Sequence, residues 1–553
     1  MKVKKNNRLL IISIVILALL ILLLLLVTYM NIGIDSGFIS AVDKISSEQE
    51  SLLDVIHYDI DLNLYPGDRY LVGKIIIGLK YPGRKSAPVS IDLYDNMKVT
   101  KLIVNGMNAD FDHNNNKIVI DNKYFEVGNN NITIAYEGTP RSEGLGSFSF
   151  DTYMDKSFIY SLSEPVFAST WLACNDSPTD KATVTISITN DSDYVSVSNG
   201  RLIETKTNGS RRTYTYNSRY QIATYLIALY SADYVKFSAS YLALDNAITM
   251  PINYYVTEDK LNEAQNDFSI HPEAIKILAE LFGEYPFIED GYGVAQFLWQ
   301  MGAMEHQTIT GIGANYISGH KFHTGTLVHE IAHHWWGNSV TPKSWKDIWL
   351  NEGFATYSEA LYWEKKSDAR ALRSTMSGYF KSFEKHALYD PGIQMFSRLV
   401  YEKGAWVLHM LRREVGDETF FKILRTYYEM YKYANANTHD FITVCETVAD
   451  RNLKYFFDQW VYNGVGIIEL KYDWKLENGK IMLQLIQAQQ QNITYNFLVD
   501  VEIIGEKGNP KRSEFRIGTR DTIISIPFTG KPGRVIIDPD GWLLASKFQK
   551  IGE

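Results

Sequence analysis

Residues 324–338 read TGTLVHEIAHHWWGN, and the pentad His329-Glu330-Ile331-Ala332-His333 inside them decides how the rest of the chain is read. Apolar residues recur here at three- and four-residue spacing, so the stretch predicts a helix. On a helix, His329 and His333 fall one turn apart on the same face, where both imidazoles can reach one ion. Glu330 lies about 100° round from His329, near enough to polarise a water without being a ligand. A third donor, Glu352, opens the next helical stretch in Asn351-Glu352-Gly353-Phe354-Ala355. The intervening GNSVTPKSWKDI (337–348) supplies Gly, Pro and Ser for a reversal of direction. Two imidazoles and a carboxylate with one position left open suit a single Zn2+. Trp335, Trp336, Trp345 and Trp349 read as core that keeps the surroundings of such an ion dry. His323 and His334 are off the donor face and read as structural or surface residues.

Outward from this centre, the text changes period twice. From about Leu52 to Lys236 it is strand-like: DVIHYDIDLNLY, RYLVGKIIIGLKY, NITIAYEG and ATVTISITN alternate or cluster β-branched and aromatic residues between Asn-, Gly- and Pro-rich turns. Helical spacing runs through HPEAIKILAELF, EGFATYSEALYWEKK, SRLVYEKGAWVLHMLRREVG and ETFFKILRTYYEMY, with Gly416 as a C-cap and Asn437 or Thr438 as an N-cap. Strands return after Gly466. The Gln-rich run 487–491 reads as a solvated strand face. The expected organisation is a β domain over 51–257, saddle or sandwich, a mainly helical catalytic domain over 258–465, and a small β-sandwich over 466–553.

At the amino terminus, residues 9–30 (LLIISIVILALLILLLLLVTYM) carry no charge and, as a helix, span about 33 Å, enough for a bilayer core of about 30 Å. Lys2, Lys4, Lys5 and Arg8 precede them. The positive-inside rule then makes 1–8 a cytoplasmic tail, 9–30 a single-pass transmembrane anchor in the lipid bilayer, 31–50 a stalk, and the body extracellular. A cleaved leader, leaving a secreted body, is the alternative. The chain of 553 residues has a formal charge of −9, and removing the four amino-terminal cations leaves −13 on the body. An acidic body excludes a nucleic-acid partner, whose affinity rests on Lys and Arg. Only Cys174 and Cys445 occur, read as buried thiols, so no disulfide framework is expected. The oligomeric state is not encoded in any motif.

His329-Glu330-x-x-His333, with Glu352 in NEGFA, resembles the zinc aminopeptidases of the aminopeptidase N and leukotriene hydrolase family, the gluzincins. Met301-Gly302-Ala303-Met304-Glu305-His306 is similar to the family's G-A-M-E-N segment, and Tyr401-Glu402-Lys403-Gly404 to its Y-x-K-G segment. Ser163-Glu164-Pro165 with Trp171-Leu172-Ala173-Cys174-Asn175-Asp176 resembles the region that adds a second amine-binding acid. The resemblance implies a thermolysin-like catalytic domain. It also implies hydrolysis of the N-terminal residue from peptides with a free N-terminus, by a zinc-activated water. Glu330 would be the general base, Tyr401 the oxyanion donor, Glu305 and Glu164 the ammonium acceptors, and Gly302 and Ala303 a backbone edge for the substrate. An endopeptidase or epoxide hydrolase on the same scaffold, or a catalytically silent binding protein, are the alternatives. Two departures stand out. The large helical carboxyl-terminal domain of longer members is expected to be absent, which would leave the site more open. His306 replaces the family Asn, and its imidazole either titrates near 6.5 in the working range or only hydrogen-bonds backbone with its neutral nitrogen, as Asn could.

Overall fold

The structure, a computed structural model, describes residues 53–83, 88–383, 386–464, 466–490, 493–506, 508, 510–546 and 548–551. The expected tail, anchor and stalk over 1–50 lie outside the described residues. Among the described residues no helix is long and apolar enough to cross a membrane.

The period-two text of the first half becomes an eight-stranded sheet. In spatial order its strands are 201–208, 211–222, 182–191, 54–65, 70–81, 128–138, 97–104 and 107–108. Asp54–Tyr65 shows why: Val55, Tyr58, Ile60, Leu62 and Leu64 are buried on one face while most intervening residues reach solvent. A four-stranded sheet (195–197, 230–232, 156–161, 148–153) lies beside it in the same domain. Its strand Lys156–Ser161 leads directly into Ser163-Glu164-Pro165.

The second unit is built on a five-stranded sheet made of β1 (Val235–Leu242), β2 (Thr249–Val256), β3 (Tyr292–Phe297), β4 (Ala303–Met304) and β5 (Ile309–Gly313). Its order is β1-β2-β3-β5-β4, so β4 forms one edge. The boundary expected at 257/258 therefore falls inside this sheet. Strand text gives way to helix text there, but β2 pairs in parallel with β3, 36 or more residues further on, and such pairing leaves no local signal. Three helices carry the site: α1 (Thr324–Ala332), α2 (Trp349–Lys366) and α3 (Gly404–Val415). A π-helical turn, Leu399–Lys403, runs into α3. Trp335, Trp336, Trp345 and Trp349 are all buried, as their density predicts. Gly416 ends α3 at φ 85°, and Asn437 caps the helix Thr438–Ala449 with a reciprocal bond pair to Asp440.

Beyond 466 lie a four-stranded sheet (521–527, 480–487, 470–477, 549–550) and a three-stranded sheet (511–517, 497–505, 532–537). The Gln-rich run corrects the sequence reading, because Gln487 and Gln489 are buried. Gln487 Nε2 donates to Tyr495 O at 2.8 Å and its Oε1 accepts from Tyr495 N at 2.9 Å, while Gln489 Nε2 reaches Ile493 O at 2.8 Å. Two side-chain amides replace ladder bonds where the strand ends, a use that residue polarity alone does not disclose. Cys174 and Cys445 are both buried and form no disulfide.

Candidate active site

α1 and α2 pack side by side and bring His329, His333 and Glu352 together, with one donor atom from each within 4.8 Å of the others. The hydrogen bonds fix which nitrogens face inward. His329 Nδ1 lies 2.9 Å from Glu359 Oε1, and His333 Nδ1 lies 3.0 Å from the Trp336 carbonyl oxygen. Both oxygens only accept, so each Nδ1 carries a proton. Each Nε2 then turns to the same atom, Glu352 Oε2, at 3.3 Å from His329 and 3.4 Å from His333. Two inward imidazole nitrogens around one carboxylate oxygen form a cation-binding set. Glu352 is deeply buried, yet the facing His333 and His329 hold its carboxyl down at about 2. Against their own burial, Glu352 and Glu359 hold His329 well above its ordinary value, and Glu305 and Glu352 hold His333 at about 9. Such a pocket demands positive charge.

Close backbone approach sets the next piece. A Cβ on Gly353 would lie 2.8 Å from Gly404 Cα, and one on Gly404 would lie 2.7 Å from Gly353 Cα, so α2 and α3 touch through two glycines. That contact explains the glycine in both NEGFA and YEKG. It seats Tyr401, on the π-helical turn, with its ring stacked on His329 at 5.8 Å between centroids. Burial, with Glu352 and the other carboxylates nearby, raises the Tyr401 phenol well above 10, so it stays a donor.

Glu330 is buried with Oε2 unpartnered among the described residues. Burial pushes it up to about 8, His329 and His333 oppose the rise, and Glu305 and Glu352 add to it. Glu164 and Glu305 sit at the same end of the cavity, and each keeps an unpartnered Oε1 among the described residues. Burial raises Glu164, with Glu305 adding to the rise, and burial likewise raises Glu305. Gly302 and Ala303 line the cavity at the start of edge strand β4. The cavity measures about 450 Å3 and is lined also by Leu162, Trp299, Thr356, Tyr379, Phe396 and Arg398. All nine sequence-derived site residues therefore meet in one place.

Three residues that pattern reading missed, Glu359, Asn338 and Lys181, hold this arrangement. Glu359 orients His329 and accepts from the Tyr379 hydroxyl at 2.9 Å. It stands seven residues after Glu352, two turns along α2, which is the one signal that could have found it. Asn338 Nδ2 donates to Glu305 O at 2.7 Å. Lys181, buried at the edge of the first domain, donates to the carbonyls of Asn338, Ser339 and Ala434 at 3.0, 2.9 and 3.2 Å, tying that domain to the turn after α1. His334 spans the Glu330 carbonyl (3.1 Å) and the Thr308 amide (3.1 Å), a structural role. His323 lies half-buried with its ring against Tyr316. His306 is fully buried, 2.6 Å from the Tyr230 hydroxyl, and burial lowers it to about 3. It remains neutral, as the second of the two readings has it, but its ring bonds the Tyr230 side chain where that reading expected backbone.

Residues 55–226 match the peptidase M1 N-terminal domain, and residues 268–460 match the peptidase family M1 domain. The chain belongs to peptidase family M1. "Probable aminopeptidase 2" of Sulfurisphaera tokodaii is 25% identical over 400 residues, 68% of this chain and 50% of that protein. The M1 fold extends to Legionella pneumophila aminopeptidase A, solved in complex with aspartic acid, at 17% identity and a TM-score of 0.80, covering 92% of this chain and 61% of that one. A mutant M1 zinc metallopeptidase from Deinococcus radiodurans bound to a Tyr-Ser-Ala substrate matches at 25% identity and a TM-score of 0.64, over 74% of this chain and 94% of that one. The chain spans half or less of the length of the curated relatives it matches. In this M1 peptidase the inward nitrogens of His329 and His333 with Glu352 fit one zinc ion per chain.

Proposed function

We propose that this M1 peptidase is an aminopeptidase, anchored in the membrane by residues 9–30 with its catalytic body outside the cell, that removes the N-terminal residue from peptides with a free N-terminus. The single observation that carries the activity is the pair of buried carboxylates Glu164 and Glu305, each with an oxygen that makes no hydrogen bond among the described residues, beside the His329, His333 and Glu352 donors. A buried carboxylate oxygen without a hydrogen bond is costly, and a substrate α-ammonium supplies charge and hydrogen bonds to both. The anchor rests on the uncharged run of 22 residues behind a basic tail.

His329, His333 and Glu352 would hold the zinc, which when bound would supply Lewis-acid polarisation and a water of pKa lowered from 15.7 to about 7. Around it the chain's own groups divide the work. Glu164 and Glu305 fix the ammonium and so set where the first peptide bond falls. The outer edge of β4 at Gly302 and Ala303 receives the substrate backbone as an added strand. Glu330 accepts a proton from water and returns it to the leaving nitrogen. The Tyr401 hydroxyl donates a hydrogen bond to the developing oxyanion. Comparing free and N-acetylated peptides on wild type and Glu305→Gln tests this reading: wild type should use only the free peptide, and Glu305→Gln should lose most of that preference while keeping zinc. Equal use of both peptides by wild type would refute it.

A further inference from the structure

One carboxylate belongs to two donor sets. Besides joining His329 and His333, Glu352 joins Glu164 and Glu305 in a second group whose oxygens all lie within 4.8 Å of one another. Glu164 and Glu305 are each 4% exposed and Glu352 is 2% exposed. Glu164 Oε1 and Glu305 Oε1 have no hydrogen-bond partner among the described residues. We propose that these three carboxylates form a second divalent-cation site, made only of oxygen donors and bridged to the zinc set through Glu352. The inference rests on the reading of Glu164 and Glu305 as the amine-binding acids, because the cation would take the same oxygens.

Distance, donor chemistry and charge all favour such a site. Two oxygens on one cation stand no farther apart than twice the metal–oxygen distance, about 4.6–5.2 Å for Ca2+, and the 4.8 Å ceiling on the set falls within that range. The donors contain no nitrogen or sulfur, the composition preferred by Ca2+, Mg2+ and Mn2+ over softer ions. The charge balance points the same way. With all four ionised, one zinc against Glu164, Glu305, Glu330 and Glu352 leaves two negative charges in a buried cavity. A bound ammonium cancels one of them, and a second dication cancels both. Glu352 Oε2 faces the imidazoles, and a carboxylate has a second oxygen with which to bridge. Occupancy by the cation excludes the ammonium, so excess hard divalent cation would act as an inhibitor at this site.

The test titrates zinc-loaded full-length protein with MnCl2 and reads free Mn2+ by electron paramagnetic resonance, with zinc followed by elemental analysis. The expected result is one Mn2+ taken up per chain with zinc retained. Glu164→Gln and Glu305→Gln, each still holding zinc, should bind Mn2+ more than about tenfold more weakly, the least that loss of a supporting ligand costs a metal site. No uptake by wild type, uptake only as zinc leaves, or unchanged uptake in both variants would overturn the inference. The two readings fail separately. If wild type takes up no Mn2+ but Glu305→Gln loses the preference for free over acetylated peptides, the cation site falls and the amine reading stands. If Mn2+ binding is lost in Glu305→Gln while wild type cleaves both peptides equally, the amine reading falls and the cation site stands.

Discussion

Replacing Glu359 separates a residue that tunes the metal from one that merely decorates α2. Its Oε1 receives the His329 Nδ1 proton at 2.9 Å and its Oε2 receives the Tyr379 hydroxyl at 2.9 Å. Glu359→Gln preserves an oxygen for Nδ1 but removes the charge. A hydrogen bond to a charged acceptor contributes about 1.5–3 kcal/mol and a neutral one about 0.5–1.5, so the change costs roughly 1–1.5 kcal/mol, or about 5–12-fold in zinc affinity. Glu359→Ala removes the whole bond, leaves His329 free to rotate and orphans the Tyr379 hydroxyl; the expected loss is about 10–100-fold. The Glu359 side chain is 17% exposed, so water partly compensates and the lower half of each range applies. An exposed helix carboxylate would contribute no more than about 1 kcal/mol and would show no ordering of Gln before Ala. Competition for zinc with a chromophoric chelator measures the affinities directly. Dissociation constants within about twofold of wild type in both variants would refute the argument that Glu359 acts through His329.

Glu330→Gln should keep its zinc while turnover falls by about 10²–10⁴, read by elemental analysis alongside kcat. Tyr401→Phe should likewise retain zinc and lose about 10²–10³ in kcat, through one missing oxyanion donor; zinc loss in either variant would contradict the roles assigned. Because burial keeps His306 neutral, the acid limbs of kcat/KM for wild type and His306→Asn should superimpose, and a limb shifted to lower pH in the variant would show that the imidazole titrates. Burial lowers His271 to about 4 and His306 and His409 to about 3, so below about 6.5 the unfolded chain binds more protons than the folded one. The contribution of these three histidines to stability is therefore complete above about 6.5 and is lost as pH falls toward 3–4; a Tm of the zinc-loaded protein that does not fall between pH 7 and pH 5 would count against this.

Much of this protein is settled by short-range pattern. Alternation over Asp54–Tyr65 and Gly128–Gly138 sets strands with one buried face, and the His329-to-His333 spacing sets two imidazoles on one helix face, because side-chain direction follows from backbone period alone. The motifs also name the donors, the general base and the phenol. What the sequence could not contain is pairing across distance. The parallel pairing of Thr249–Val256 with Tyr292–Phe297 draws one sheet across the point where helical spacing begins. Gly353 and Gly404 gain meaning only when α2 and α3 touch. Lys181 is one lysine among many until its ammonium reaches three carbonyls, two of them more than 150 residues away in the turn after α1. His306 illustrates the limit most sharply. Its chemical type allowed titration in the working range, and only the packing that buries it beside Tyr230 keeps it neutral, because charge is stabilised by solvent and neighbours rather than by residue identity.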